Sequence, residues 1–244
     1  MKCYLTFILL LFSCGEKPLK SERKVWFNDQ TIYEVNLRQY TKEGTIQAFK
    51  NHLPRLKNMG VGILWMMPIH PIGEINRKGS LGSYYSIKDY YEINPEFGTL
   101  KEFKNLVNEI HELGMYVIID WVANHTSWDN AISASNPEWY TKNSNGNFMP
   151  PIDTDWTDVI DLDYSKSPLR KYMIDAMKYW IKEINIDGFR CDVAGMIPND
   201  FWEKGIKELN QIKPIFMLAE WEDPKLLDAG FSADYNWTLY HNLK

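Results

Sequence analysis

Acidic side chains follow three apolar stretches of the chain, each at the point where the stretch ends. Asp120 follows a run of aliphatic residues, Asp192 ends the segment Gly-Phe-Arg-Cys-Asp, and Glu220 follows Leu-Ala. Grouped carboxylates can serve as nucleophiles and as general acids or bases. Burying such charges without compensation costs several kcal/mol per ion, so a cluster of them indicates function more strongly than one acid would.

Basic, imidazole and phenol side chains accompany these acids. Arg190 precedes Asp192 by two residues, so both side chains should leave the same face of a strand. A cation at that place favours the ionised form of a neighbouring carboxylate. His125 follows the third apolar stretch, and the loop after the second stretch carries His70 and leads to Tyr85. All are expected at one rim of the fold.

The elements that would position these residues alternate between strand and helix. Short apolar, β-rich segments predict strands at 32–37, 61–67, 115–119, 187–191 and 215–219, with a short sixth near 231–233. Amphipathic spacing predicts helices at 46–59, 100–113, 169–184 and 201–209. The alternation predicts an α/β fold with parallel strands, whose carboxyl ends face the ligand site.

Periodicity alone leaves a doubly wound sheet and a (β/α)₈ barrel open. No glycine-rich phosphate loop follows the first predicted strand, which argues against a dinucleotide-binding fold. One segment, 128–164, interrupts the alternation: it is rich in Asn, Ser, Pro, Asp and Trp and has no helical period. It is too long for an ordinary loop. We therefore predict a small inserted domain at about 126–164, after the third strand.

Charge and composition exclude several classes of protein. The net charge is −5, from 27 basic and 32 acidic residues, and no basic block supports nucleic-acid binding. The 3 cysteines are too few for a disulfide-rich scaffold. The 10 tryptophans predict aromatic ligand surfaces, with burial in the core as the alternative for any one of them.

The first residues have the layout of a secretory signal peptide, predicted at 1–14. A short basic start precedes an apolar stretch at 4–12, which is too short to span a membrane. Leu-Phe-Ser-Cys14 resembles the processing site of bacterial lipoproteins, in which the cysteine is lipidated. The alternative is a signal peptide with an incidental cysteine. Residues 15–25 are predicted to be a tether. We expect an exported protein anchored to a membrane through Cys14, in the periplasm or at the cell surface.

The ordered segments Asp-Trp-Val-Ala-Asn-His, Gly-Phe-Arg-Cys-Asp and Leu-Ala-Glu resemble the first three of four sequence regions of the α-amylase family of glycoside hydrolases. Ile-Tyr-Glu-Val-Asn and Asn-Pro-Glu-Phe-Gly-Thr fit the same family, and the resemblance extends from about Val25 onward. It implies a (β/α)₈ TIM barrel with a small excursion after strand three. It also implies retaining hydrolysis of α-1,4-glucosidic bonds in starch-like glucans or maltooligosaccharides, without an organic cofactor.

The resemblance implies roles for individual residues. Asp192 would be the nucleophile and Glu220 the proton donor and later the base for water. Tyr85 would stack beneath the cleaved sugar unit, His125 would hydrogen-bond its hydroxyls, and Arg190 would complete the substrate-binding set. Asp120 would organise the rim of the barrel rather than react.

The resemblance also implies a structural calcium ion. Asn124 and Asp161 match two positions at which the family holds calcium. The family's third ligand is a backbone carbonyl four residues past the nucleophile, usually from His, and Met196 stands there in this chain. A backbone carbonyl does not depend on the side chain, so Met196 removes a supporting feature without excluding calcium.

The fourth family region, an Asn-His-Asp that supplies a third carboxylate, has no match. The only histidine after Glu220 is His241, in a segment that resembles the start of a helix. With about six β/α units, 26–244 is expected to be a partial barrel without appreciable turnover as a 244-residue form. The alternatives are a transglycosylase of the same family, an inactive remnant, or a glucan-binding lipoprotein that stacks sugars on Trp128, Trp139 and Trp156.

Overall fold

The computed structural model describes residues 25–244, so the predicted signal peptide at 1–14 and nearly all of the tether at 15–25 lie outside the described residues. The strands, in chain order, are β1 (Ile32–Val35), β2 (Ile63–Met66), β3 (Tyr116–Trp121), β4 (His125–Ser127), β5 (Val159–Asp161), β6 (Gly188–Cys191), β7 (Phe216–Ala219) and β8 (Ala233–Asp234). The six predicted strands are confirmed, and no predicted end differs from the observed one by more than two residues.

Six strands form one parallel sheet in the order β1-β2-β3-β6-β7-β8. Each strand lies beside the next one of the sheet along the chain, and the order never reverses. A doubly wound sheet reverses its strand order at a switch point, whereas a barrel adds successive strands side by side. The order therefore decides between the two folds that periodicity left open: the sheet is part of a (β/α)₈ barrel.

The α-helices, in chain order, are α1 (Leu37–Tyr40), α2 (Ile46–Lys50), α3 (Leu53–Asn58), α4 (Leu100–Glu112), α5 (Ala131–Ser135), α6 (Ser167–Tyr179), α7 (Asn199–Asn210), α8 (Pro224–Asp228) and α9 (Trp237–Asn242). The prediction of one continuous helix at 46–59 is wrong, because α2 and α3 are separate. Pro54 lacks an N–H and its ring would clash with the carbonyl of Lys50, but it is tolerated in the first turn of a new helix.

Helix α4 shows how local sequence sets the ends of an element. Thr99 and Glu102 form a capping box, in which each side chain accepts a hydrogen bond from the other's backbone N–H. The helix buries Phe103 and three aliphatic residues against the sheet. It ends before Gly114, whose φ of +67° is readily adopted only without a Cβ.

The excursion after β3 has its own small structure, as predicted. Strands β4 and β5 pair antiparallel outside the main sheet, with His125 opposite Asp161. Helix α5 and a turn of 3₁₀ helix at Pro137–Trp139 follow β4. Leu162 N–H donates to the Asn124 carbonyl at 3.1 Å, which ties the return of the excursion to its start.

Four of the 10 tryptophans are buried in the core rather than exposed on a ligand surface. Trp65, Trp121, Trp180 and Trp202 are buried. Trp121, Trp180 and Trp202 pack in the large cluster that holds the apolar faces of the helices, and Trp65 packs in a second cluster of strand residues, as expected for a sheet covered on both faces. Among residues 25–244, no helix is both long and apolar enough to cross a membrane.

Candidate active site

One guanidinium group contacts the carboxylates of all three predicted acids. Arg190 Nη1 lies 2.9 Å from Asp120 Oδ1 and 3.1 Å from Asp192 Oδ1, and Arg190 Nη2 lies 2.8 Å from Glu220 Oε1. The strand register explains the meeting, because β6 lies between β3 and β7 and pairs Arg190 with both Asp120 and Leu218. The structure therefore brings the three acids together at the carboxyl ends of adjacent strands.

Asp120 lies at the bottom of this cluster and is fully buried. Its Oδ2 accepts hydrogen bonds from Trp65 Nε1–H at 3.1 Å and from the Tyr85 hydroxyl at 3.4 Å. Burial raises the pKa of Asp120 to about 7, although the Arg190 charge and the hydrogen bonds lower it. Both oxygens of Asp120 are thus bound by protein donors, and its expected role at the rim stays a prediction.

Asp192 is 7% exposed and lies nearer the surface of the cluster. Burial, and then the negative charge of Asp120, raise the pKa of Asp192 well above its usual value, while Arg190 lowers it. The sequence predicted that Arg190 would favour the ionised form. Arg190 does lower the pKa of Asp192, but it is shared by three carboxylates. Burial and the charge of Asp120 raise the pKa by more than Arg190 lowers it. Asp192 therefore binds a proton more readily than an isolated carboxyl group does.

Glu220 holds both of its carboxylate oxygens against protein donors. Oε1 pairs with Arg190, and Oε2 accepts a hydrogen bond from the backbone N–H of Val193 at 3.0 Å. Its side chain remains 24% exposed. Asp192 and Glu220 lie next to each other, because both contact the guanidinium group of Arg190.

A cavity of about 350 Å³ opens over these two acids. This size falls in the range of small-molecule sites. The residues that line it come from the loop after β2, the excursion and the ends of β6 and β7: Lys78, Ser83, Tyr85, His125, Trp156, Asp158, Val159, Asp192, Val193 and Glu220. Arg190 is 4% exposed and is not among them, so the structure places it behind the acids rather than in the cavity wall.

Two side chains of the cavity wall suit a sugar. His125 is 3% exposed, and burial lowers its pKa to about 4, so the imidazole is neutral near pH 7. A neutral imidazole can both donate and accept a hydrogen bond, which matches the chemistry of a hydroxyl group. The ring of Trp156 lies 5.3 Å from the ring of His125, centroid to centroid. Tyr85 lines the same cavity.

The structure does not bring every candidate to this cavity. His70 is fully buried below the rim, where Nδ1–H donates to the Glu92 carbonyl, and burial lowers its pKa to about 4. Of the three tryptophans of the excursion, only Trp156 lines the cavity. Trp128 donates to the Thr157 carbonyl, and Trp139 packs against the ring of Tyr172.

Sequence reasoning missed five residues of the cavity wall: Lys78, Ser83, Asp158, Val159 and Val193. They lie in loops or in the excursion, where no period indicates which side chains face inward. Lys78 reaches across to the excursion: Nζ donates to the Asp155 carbonyl at 2.9 Å and lies 3.4 Å from Asp158 Oδ1. The sequence around each of these residues contains no feature that distinguishes it from its neighbours.

The predicted calcium ligands lie next to each other but do not form a complete site. Asn124 directly precedes His125, which pairs with Asp161 across β4 and β5. Asp161 Oδ2 accepts a hydrogen bond from Thr141 at 2.7 Å. Calcium prefers six to eight oxygen ligands, and these two side chains supply few of them. Within residues 25–244 there is no group of three or more His, Cys, Asp or Glu side chains that could hold a metal. The side chains here do not by themselves fit calcium.

Comparisons with known proteins agree on one family. A model of the alpha-amylase catalytic domain matches residues 26–221. Alpha-amylase 3 of Dictyoglomus thermophilum is 29% identical over 249 residues, covering 88% of this chain and 48% of that protein. The chain thus spans about half the length of this curated relative, and a still smaller share of several others.

Solved structures show the same likeness. An alpha-amylase from Lactobacillus plantarum superposes with a TM-score of 0.85 at 39% identity, covering 90% of this chain and 56% of that one. A maltogenic alpha-amylase from Thermotoga neapolitana superposes with a TM-score of 0.82 at 43% identity, covering 88% of this chain and 50% of that one.

Removal of the Arg190 charge should destabilise the fold. We expect Arg190→Met to lower the free energy of unfolding by about 3–5 kcal/mol, because it leaves buried carboxylates without their cation. The loss should be larger at pH 8 than at pH 5, since the uncompensated acids can take up protons at the lower pH. Urea unfolding at both pH values measures it.

The matched control is Lys171→Met, which removes a cation from an exposed pair with Asp175. Exposed pairs contribute little, so this variant should stay within about 0.5 kcal/mol of the wild type. Equal stabilities for the Arg190 and Lys171 variants would contradict the assignment of Arg190 as the support of the cluster.

Proposed function

This chain belongs to the alpha-amylase family, and we propose that it carries the reacting acids of a retaining glycoside hydrolase that cleaves α-1,4-glucosidic bonds in starch-like glucans or maltooligosaccharides. The observation that supports this most directly is that Asp192 and Glu220, held by one Arg190 side chain, face the same cavity. The names of its relatives, which include alpha-amylases, maltogenic amylases and a cyclomaltodextrinase, are consistent with an α-glucan substrate.

In the first step, a carboxylate oxygen of Asp192 attacks the anomeric carbon of the sugar unit to be cleaved. The bond between that carbon and the glycosidic oxygen breaks, and Glu220 donates a proton to the departing oxygen. Arg190 then balances the negative charge of the ionised nucleophile.

In the second step, Glu220 removes a proton from water, and the resulting hydroxyl attacks the anomeric carbon. The bond to Asp192 breaks, and the carboxylate is regenerated. The configuration at the anomeric carbon is inverted twice and therefore retained. The neutral imidazole of His125 hydrogen-bonds sugar hydroxyls, and the rings of Tyr85 and Trp156 offer apolar faces to the sugar. No organic cofactor is needed for either step.

The test is the release of reducing ends from soluble starch by the complete product of the gene that encodes this chain. Asp192→Asn should lower the rate by about 10³-fold or more, since it removes the nucleophile. Asp228→Asn is the matched control, because Asp228 is an exposed carboxylate at the end of α8. It should leave the rate unchanged.

Each alternative has its own outcome in this assay. Products longer than the substrate would indicate transglycosylation, in which a sugar hydroxyl replaces water. Starch binding without any release of reducing ends would identify a glucan-binding protein and contradict the proposed activity. Normal turnover by Asp192→Asn would remove Asp192 from the role of nucleophile.

We also propose that the protein is exported and anchored through a lipid on Cys14. The support is the basic start, the short apolar stretch and the Leu-Phe-Ser-Cys segment of the sequence. Cells that express the protein in radiolabelled palmitate should label the wild type and Cys3→Ser, but not Cys14→Ser. An unlabelled wild type, or a labelled Cys14→Ser, would contradict the anchor.

A further inference from the structure

The residue after the proposed nucleophile has an unusual backbone conformation. Val193 has a φ of 38° and a ψ of 47°, in the left-handed region. A β-branched side chain disfavours this region strongly, and such residues persist only where the surroundings enforce them. Gly and Asn adopt the region far more readily. A valine here therefore indicates a turn whose shape is imposed by its neighbours.

Two tryptophans impose that shape. Trp202 on α7 is fully buried, and its Nε1–H donates to the Ala194 carbonyl at 3.0 Å. Trp221 packs directly on Gly195, because a Cβ built on Gly195 would lie 2.2 Å from an atom of the indole ring. The turn is thus held at Ala194 by the hydrogen bond from Trp202 and at Gly195 by the close approach of the Trp221 ring.

The consequence of the turn is the direction of one backbone N–H. The left-handed conformation at Val193 aims its amide into the cavity, where it donates to Glu220 Oε2 at 3.0 Å. Arg190 Nη2 binds the other oxygen, Oε1, at 2.8 Å. Two donors from different directions fix the plane of the carboxyl group, whereas Arg190 alone would leave it free to rotate about its contact.

We propose that Val193 is a positioning residue for the acid/base catalyst: its strained turn, held by Trp202 and Trp221, presents a backbone N–H that orients the Glu220 carboxyl toward the glycosidic oxygen. This inference rests on the proposed function of Glu220 and adds a cause for its placement. It predicts that displacement of the turn harms proton transfer selectively and leaves attack by Asp192 intact.

The variant that displaces the turn is Gly195→Ala, whose new Cβ would overlap the ring of Trp221. The matched control is Gly205→Ala in α7, where the new Cβ would meet Ile174 at an ordinary contact distance of 3.5 Å.

Two substrates separate proton transfer from nucleophilic attack. Maltooligosaccharides need a proton on the departing oxygen, whereas α-maltosyl fluoride releases fluoride with little help from an acid. Added azide attacks the anomeric carbon of the glycosyl–enzyme without a base, so the bond to Asp192 breaks and a glycosyl azide forms. Fluoride release in azide therefore reports the nucleophile alone, in the complete gene product.

For Gly195→Ala we expect kcat/KM on maltooligosaccharides to fall at least about tenfold, part of the 10²–10⁴-fold that acid–base catalysis contributes. Fluoride release in azide should stay within about twofold of the wild type, as should both rates for Gly205→Ala. Equal loss on both substrates, or no loss on either, would overturn the positioning role while the proposed function stands. A wild type inactive on both substrates would overturn the proposed function and this inference with it.

Discussion

The guanidinium group of Arg190 is the interaction on which the rest of the site depends. Its Nη atoms contact three carboxylates, its Nε–H lies 3.4 Å from the Tyr235 hydroxyl, and its carbon lies 5.0 Å from the centre of the Trp65 ring. A buried ion cluster gains little net stability over an apolar core, but removal of one partner is costly. The arrangement therefore constrains β3, β6 and β7 to one register and the acids to one rim.

This constraint also separates the functions of chemically similar groups. Asp120 is fully buried and its oxygens are bound by protein donors, whereas Asp192 and Glu220 face the cavity. A single cation faces three carboxylates, and burial raises the pKa of both Asp120 and Asp192 in spite of it.

The elements and residues that depend on local sequence patterns could be predicted from the sequence. Apolar runs located all six sheet strands, and the ends of those strands located Asp120, Asp192 and Glu220. The family roles assigned to individual residues came from ordered motifs, not from periodicity. Helix 46–59 was predicted as continuous because its apolar spacing persists across Pro54. The proline ring cannot lie in the middle of a helix, so a second helix begins at Leu53.

Other features depend on tertiary contacts that no local pattern reports. His70 was expected at the rim because it follows a strand, but the chain turns it into an aromatic pocket with Trp121 and Trp180. Trp156 could not be distinguished from Trp128 and Trp139, since only the folded excursion shows which ring faces the cavity. The left-handed conformation of Val193 was unpredictable, because valine disfavours it and two distant tryptophans enforce it.

We propose that the carboxylate that attacks the sugar is Asp192, and not Asp120 or Glu220. This claim is tested most directly by covalent labelling with a 5-fluoro-α-maltosyl fluoride, whose ring fluorine destabilises the oxocarbenium-like transition state and slows hydrolysis of the glycosyl–enzyme. Peptide mass spectrometry then locates the sugar. A maltosyl adduct on the peptide that contains Asp192, with fragment ions assigning it to that residue, is the predicted result. An adduct on Asp120 or Glu220 would contradict the claim.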